Sequence, residues 1–264
     1  MEAANLDLIL ITVVLLLGLG VSFFSGLLGI GGGIIMTPLL LYVPSLLGLG
    51  HLGMREVAGL TMVQGFVGAL SGLVKHRDYG FVNRDLVLNM GVAIGLSSLF
   101  GAVLSKYVGQ DTLLAIFALL ALIAAGLMLV SREEGEDGAT GIEFNRPLAI
   151  SISIAVGFLG GLVGQGGAFI LIPLMLFVLK LPTRITIGSS LGIVLFSAAA
   201  GFVGKLGTGQ IILPLALALV VGAVPGAQLG SYVSKRVSTR ALRGVLAALI
   251  GLTAVNMWWG LLVH

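Results

Sequence analysis

Hydrophobic positions divide this chain into ten apolar runs separated by short polar stretches: 6–28, 34–49, 57–74, 86–108 and 113–130, then 147–163, 169–179, 185–203, 211–233 and 241–262. Most hold the roughly 20 apolar residues that a helix needs to cross the hydrocarbon core of a bilayer. Residues 8–17 and 113–120 are apolar on every side, whereas the strands of a transmembrane barrel alternate. The pattern therefore predicts an all-α integral membrane protein. An acidic, polar stretch at 131–146 separates two sets of five runs, so residues 1–130 and 147–264 are expected to form two membrane repeats joined by a flexible linker.

The sets match in residues as well as in hydropathy. Between the first and second runs of each lies a glycine-rich interruption: Gly26-Leu27-Leu28-Gly29-Ile30-Gly31-Gly32-Gly33 through Pro38, and Gly161-Leu162-Val163-Gly164-Gln165-Gly166-Gly167-Ala168 through Pro173. Further on, Gly59-Leu60-Thr61 answers Gly188-Ser189-Ser190, and Gly101-Ala102-Val103-Leu104 answers Gly226-Ala227-Gln228-Leu229. Glycine and proline weaken helices, and at membrane depth a broken helix leaves backbone groups that protein, water or a ligand must satisfy. Broken helices at matching places in two halves mark a binding site.

If each broken pair returns the chain to the side it came from, three further crossings complete a half. An odd net number of crossings inverts the second half. Each repeat is then a Gly-broken helical hairpin plus three transmembrane helices, and the two have inverted topology. Eleven of the 14 lysines and arginines fall on the linker side in this arrangement, leaving Arg55, Lys106 and Lys205 opposite. By the positive-inside rule the linker is cytoplasmic and both termini are periplasmic, in a multi-pass protein of the bacterial inner membrane.

Composition narrows the chemistry. Hydrophobic residues make up 58% of the chain and charged residues 9%, which excludes a soluble enzyme, and there is no cysteine for disulfides, thiolate catalysis or thiolate metal ligation. The first residues are acidic and lack the basic start of a signal peptide, so the first run is expected to be retained. Loop arginines and lysines make the chain basic, an excess that orients a membrane protein and does not imply nucleic acid.

Helices restarting after Gly33 and Ala168 would aim their N-termini at the midplane from opposite faces. Helix N-termini bind anions without a buried cation. The expected substrate-binding set is therefore the backbone of Gly31, Gly32, Gly33, Gly166 and Gly167, with Thr61, Gln64, Gln165, Ser189 and Ser190 as side-chain donors and Ser25 bordering the first break. A lone serine or threonine in a membrane helix more often bonds its own backbone or a neighbouring helix. Isolated glycine pairs such as Gly68 with Gly72, and Gly157 with Gly161, read as packing positions. Asn89, Gln228 and Asn256 have no break nearby, and Lys75 and Lys205, at the ends of equivalent helices, are expected to tune substrate access through charge.

No ionisable residue lies near the centre of a run, so a carboxylate proton relay is not expected. A monovalent anion leaving a negative cytoplasm gains about 2.3 kcal/mol per 100 mV, so export needs no coupling ion. The pattern Gly188-Ser189-Ser190-Leu191-Gly192 fits that of a serine hydrolase, but it falls in an apolar helix, and His51, His76 and His264 fall at loops or the terminus. No metal spacing, phosphate-binding loop or dinucleotide fingerprint is present, and no cofactor is expected.

The two glycine motifs with Pro38 and Pro173, together with Gly188-Ser189-Ser190-Leu191, resemble the TauE/SafE family, also called the sulfite exporter or toluene-sulfonate uptake permease family. The likeness covers both halves. It departs from the family's Gly-Thr-Ser pattern in the first half, which reads Gly59-Leu60-Thr61. What the resemblance implies is transport of a sulfur-containing anion such as sulfite, sulfoacetate or another sulfonate. The expectation is thus a carrier for a small anionic substrate in a lipid bilayer, with an anion channel or an intramembrane serine hydrolase as alternatives and homo-oligomerisation open.

Overall fold

A computed structural model describes residues 2–78, 80–128 and 144–263; most of the expected 131–146 linker lies outside the described residues, as do His264 and the side chain of Lys75. The described residues form ten α-helices and no strand: α1 (Glu2–Leu28), α2 (Gly33–Leu46), α3 (Met54–Asp78), α4 (Arg84–Leu104), α5 (Gln110–Met128), α6 (Arg146–Val163), α7 (Ala168–Phe177), α8 (Thr183–Gly207), α9 (Leu213–Ser234) and α10 (Thr239–Val263). A 3-10 turn, Ser105–Tyr107, follows α4. Eight of the helices are long and apolar enough to cross a membrane. The other two, α2 and α7, have 14 and 10 residues. At 1.5 Å per residue they rise about 21 and 15 Å, short of the hydrocarbon core of about 30 Å.

Helix starts follow their local chemistry. Asn83 and Asn145 cap α4 and α6, each Oδ1 accepting from a backbone N–H at 3.0 Å (Leu86 and Leu148). In α2 and α7, Pro38 and Pro173 sit at the same place relative to the preceding break. Each removes one helical N–H, which limits how far the helix resists bending there.

Helices pair across the halves. α1 packs along α9, α4 along α6, and α3 against α8 and α9, while α4 also lies on α8. Glycines set the approach: a Cβ at Gly222, Gly226 or Gly230 of α9 would collide with the carbonyls of Leu15, Leu19 or Phe23 of α1, and one at Gly101 with that of Phe158 on α6. Between lipid-bathed helices there is no hydrophobic drive to associate, so close backbone contact through small residues supplies the attraction. The centre belongs to α3 and α8, whose spans are 67% and 72% buried, against 28% for α1. Leu88, Leu96 and Phe100 of α4, with Leu217 and Val221 of α9, stay exposed, as a lipid-facing surface requires.

Candidate functional site

The breaks have the same backbone geometry in both halves. Gly29, Gly31 and Gly32 have φ of 74°, 67° and 78°, and Gly164, Gly166 and Gly167 have φ of 80°, 61° and 74°. In this left-handed region a side chain costs about 1–2 kcal/mol per residue, which is why each matching position is glycine. Gly32 and Gly167 are the N-caps of α2 and α7, and neither helix has a side-chain cap. The Gly32 carbonyl accepts from Ile35 (3.1 Å) and Met36 (3.0 Å), and that of Gly167 from Ile170 (3.3 Å) and Leu171 (3.0 Å). The N–H groups of Gly33, Ile34, Ala168 and Phe169 thus have no helical carbonyl ahead of them. All four residues are buried.

The two breaks lie against each other. Ideal Cβ positions on Gly31 and Gly166 fall 3.1 and 3.5 Å from the same Val194 methyl, and that of Gly31 is 3.5 Å from Ala168 Cβ. Gln165, inside the second break, reaches the first: its Nε2 donates to the Thr37 hydroxyl of α2, and its Oε1 lies 3.0 Å from an ideal Cβ on Gly33. Gln64 of α3 packs on Gly32, and its Nε2 donates to Ser22 Oγ at 3.0 Å. Oε1 of Gln64, Oε1 of Gln165, Ser25 Oγ and Ser197 Oγ are buried with no hydrogen-bond partner. Buried polar atoms are nearly always paired, so four orphans around two uncapped helix N-termini mark a place that a polar ligand can complete. A half-turn of either amide exchanges Oε1 and Nε2, letting it donate or accept.

Thr61 and Ser190 hold the other ends of the breaks. Thr61 Oγ1 donates to Gly164 O and Ser190 Oγ to Gly29 O, each hydroxyl also lying near a carbonyl one turn back on its own helix. Ser189 turns away: its Oγ accepts from the Asn83 N–H at 2.9 Å, outside the break cluster. Of the expected set, then, Gly31, Gly32, Gly33, Gln64, Gln165, Gly166 and Gly167 converge, Thr61 and Ser190 face the C-terminal carbonyls, and Ser189 stands apart. Ser22, Thr37 and Ser197 join them. None of these three stood out in the sequence, because single hydroxyls are ordinary in membrane helices.

Two basic residues correct the picture of wholly peripheral charge. Lys205 is fully buried; its Nζ donates to Ser105 Oγ (2.8 Å), Gln210 Oε1 (3.2 Å) and Leu162 O (3.3 Å). His76 lies inside α3, not in a loop, and its Nε2 donates to Gly26 O at 2.9 Å. Each places a basic group against a late carbonyl of its half's broken first helix, where the helix dipole is negative.

The remaining candidates lie elsewhere. Asn89 is half-buried and bonds Asp85 O, Gln228 is exposed, and Asn256 lines an apolar groove of about 600 Å³ between α2 and α10. The Gly188–Gly192 pattern lies within α8, where the Ser190 hydroxyl is engaged with carbonyls and no strand-to-helix turn exposes it.

A bundle of membrane-crossing helices around paired helix breaks, with uncapped N-termini and orphaned amides facing each other in its interior, is the architecture of a membrane transporter. The profile of the family described as "Sulfite exporter TauE/SafE" matches residues 14–257, and the chain belongs to that family. Its relatives include the probable membrane transporter protein YunE of Bacillus subtilis, 27% identical over 247 residues that cover 87% of this chain and 90% of the relative. A probable membrane transporter protein of Xylella fastidiosa is 29% identical over 247 residues, covering 90% and 91%. One from Methanocaldococcus jannaschii is 22% identical over 260 residues, covering 95% and 96%. No solved structure matches the chain.

Proposed function

We propose that this transporter exports a small sulfur-containing oxyanion, such as sulfite, sulfoacetate or another sulfonate, through a site between the two glycine breaks. The observation that carries the reading is the meeting of the uncapped N-termini of α2 and α7 beside Gln64 and Gln165. Four unpaired N–H groups and two rotatable amides suit an oxyanion with several acceptor oxygens, and two helix dipoles favour its charge. Residues 1–130 and 147–264 act as inverted repeats joined by a cytoplasmic 131–146 linker, with the termini periplasmic in the inner membrane. The exchanged packing of α1 on α9 and α4 on α6 supports this arrangement, since each first helix lies on the fourth of the other half. Because the break residues are buried, substrate reaches them when one half moves against the other. Membrane potential favours the outward direction.

The test is efflux from proteoliposomes loaded with sulfite, sulfoacetate, sulfate or acetate, at several loads and imposed potentials. Saturable efflux of a sulfur oxyanion, faster when the inside is negative, is expected. Saturating efflux of acetate alone would reject the substrate class, and flux that never saturates would make the protein a channel.

A further inference from the structure

The register that pairs Thr61 with Ser190 also pairs Arg55 with Arg184, His76 with Lys205 and Phe81 with Gln210. The correspondence extends into space. The Phe81 N–H donates to His76 O at 3.3 Å and the Gln210 N–H to Lys205 O at 3.1 Å. A Cβ on Gly188 would collide with the Phe81 carbonyl, and one on Gly59 with that of Gln210. At one end of the α3–α8 pair, Arg55 Nη2 donates to Val108 O (2.8 Å) and Lys205 Nζ to Ser105 Oγ (2.8 Å), so both cations dock on the same turn after α4. At the other end, the Arg184 guanidinium lies 5.3 Å from the Phe81 ring centroid, and the Phe81 and His76 rings are 6.3 Å apart. Each end thus joins an arginine from the start of one central helix to a base near the end of the other.

One basic group at each end would answer the helix-end carbonyls of Gly26 or Leu162. The arginines reach other carbonyls, Arg55 that of Val108 and Arg184 that of Val237 at 3.2 Å. At the Arg55–Lys205 end, the buried Lys205 ammonium bonds only neutral oxygens, Arg55 Nε is buried without a hydrogen-bond partner, and among the described residues neither group pairs with a carboxylate. Lys205 is buried and Arg55 half-buried, and two like charges held together with reduced hydration repel each other, an arrangement that an anion between them relieves. A guanidinium edge offers an oxyanion two parallel donors, and the ammonium adds a mobile third.

We propose that Arg55 with Lys205, and their counterparts Arg184 with His76, form two anion stations, one at each end of the α3–α8 pair. Each holds a small oxyanion between the surrounding water and the central break site. The proposal rests on the anion reading above and adds sites to it.

Equilibrium dialysis of radiolabelled sulfite against purified protein, with sulfate as a second probe, tests both levels. Wild type is expected to bind more than one equivalent. Arg55→Gln and Lys205→Met should each weaken one class of site at least tenfold while a second class survives, and Lys205→Arg should retain both. Gln165→Ala should weaken the other class. A single equivalent that depends on Gln165 but not on Arg55 overturns the stations and leaves the central site standing. No binding of either anion to wild type overturns the anion reading itself. Should Lys205→Met fail to fold, Arg55→Gln and Lys205→Arg decide the matter: unchanged binding in Arg55→Gln means the cations serve only the carbonyls.

Discussion

Thr61 and Ser190 each clamp the glycine break of the other half, Thr61 Oγ1 donating to Gly164 O at 2.7 Å and Ser190 Oγ to Gly29 O at 2.9 Å. The carbonyls they satisfy belong to the first residue after each broken helix, where the helix has no further N–H to offer. Each break is therefore tied to the central helix of the other half, and any motion of one half against the other must carry or break these bonds.

Removing either hydroxyl should destabilise the fold before it affects chemistry. Thr61→Ala and Ser190→Ala each leave a buried carbonyl short of a donor, a loss of about 1–3 kcal/mol. Thr61→Ser keeps the hydroxyl and should stay close to wild type. Thermal unfolding in detergent measures this, and an Ala variant that unfolds at the wild-type temperature would show that the clamp contributes nothing.

The breaks are readable in the sequence because positive φ disfavours side chains, so the geometry is recorded as glycine at Gly29, Gly31 and Gly32 and again at Gly164, Gly166 and Gly167. Register likewise places Thr61 opposite Ser190. It does not reveal where a hydroxyl points: read as donors to a substrate, these two instead serve helix-end carbonyls, and Ser189 serves the Asn83 loop. The burial of Lys205 is less legible still. A lysine two residues from a helix end ordinarily extends its ammonium to the interface, and its burial here comes from the Ser105–Tyr107 turn and the Gln210 loop folding over it. Spacing by four at Gly222, Gly226 and Gly230 announces a close helix contact but not that the partner is α1, which is distant in the chain.

Gly33 offers a clean way to crowd the site. It is a helical residue without positive φ, and an added Cβ would stand 3.0 Å from Gln165 Oε1, requiring the amide to give way by a few tenths of an ångström. Gly33→Ala should therefore insert and fold normally yet weaken anion binding. Gly32→Leu and Gly167→Leu combine bulk with a forbidden backbone and should abolish transport. Binding and membrane insertion measured together separate these effects; normal transport by both Leu variants would place the site elsewhere.

Orientation can be settled by a fusion. With Arg55, Lys106 and Lys205 as the minority side, a reporter placed after His264 should be active only if it requires the periplasm. Activity of a cytoplasm-dependent reporter there would reverse the arrangement and place the linker outside.

The sharpest test of the central site concerns the sign of its charge. Gln64 and Gln165 each leave Oε1 without a partner, yet each amide can turn to offer Nε2, and the neighbouring N–H groups of Gly33, Ile34, Ala168 and Phe169 are fixed donors. With an anion bound, Gln165 should turn so that Thr37 donates to its oxygen and its Nε2 faces the ligand. Losing one charge-assisted hydrogen bond of about 1.5–3 kcal/mol predicts that Gln165→Ala weakens anion binding about ten- to a hundred-fold, because the backbone donors remain. Gln165→Glu, nearly the same size, should abolish it through repulsion in a buried setting. Titration of sulfite against the three proteins at constant ionic strength measures the series. Binding that strengthens from Gln to Glu would mean that the orphaned oxygens face a cation, and that the helix N-termini are neutralised by something other than substrate.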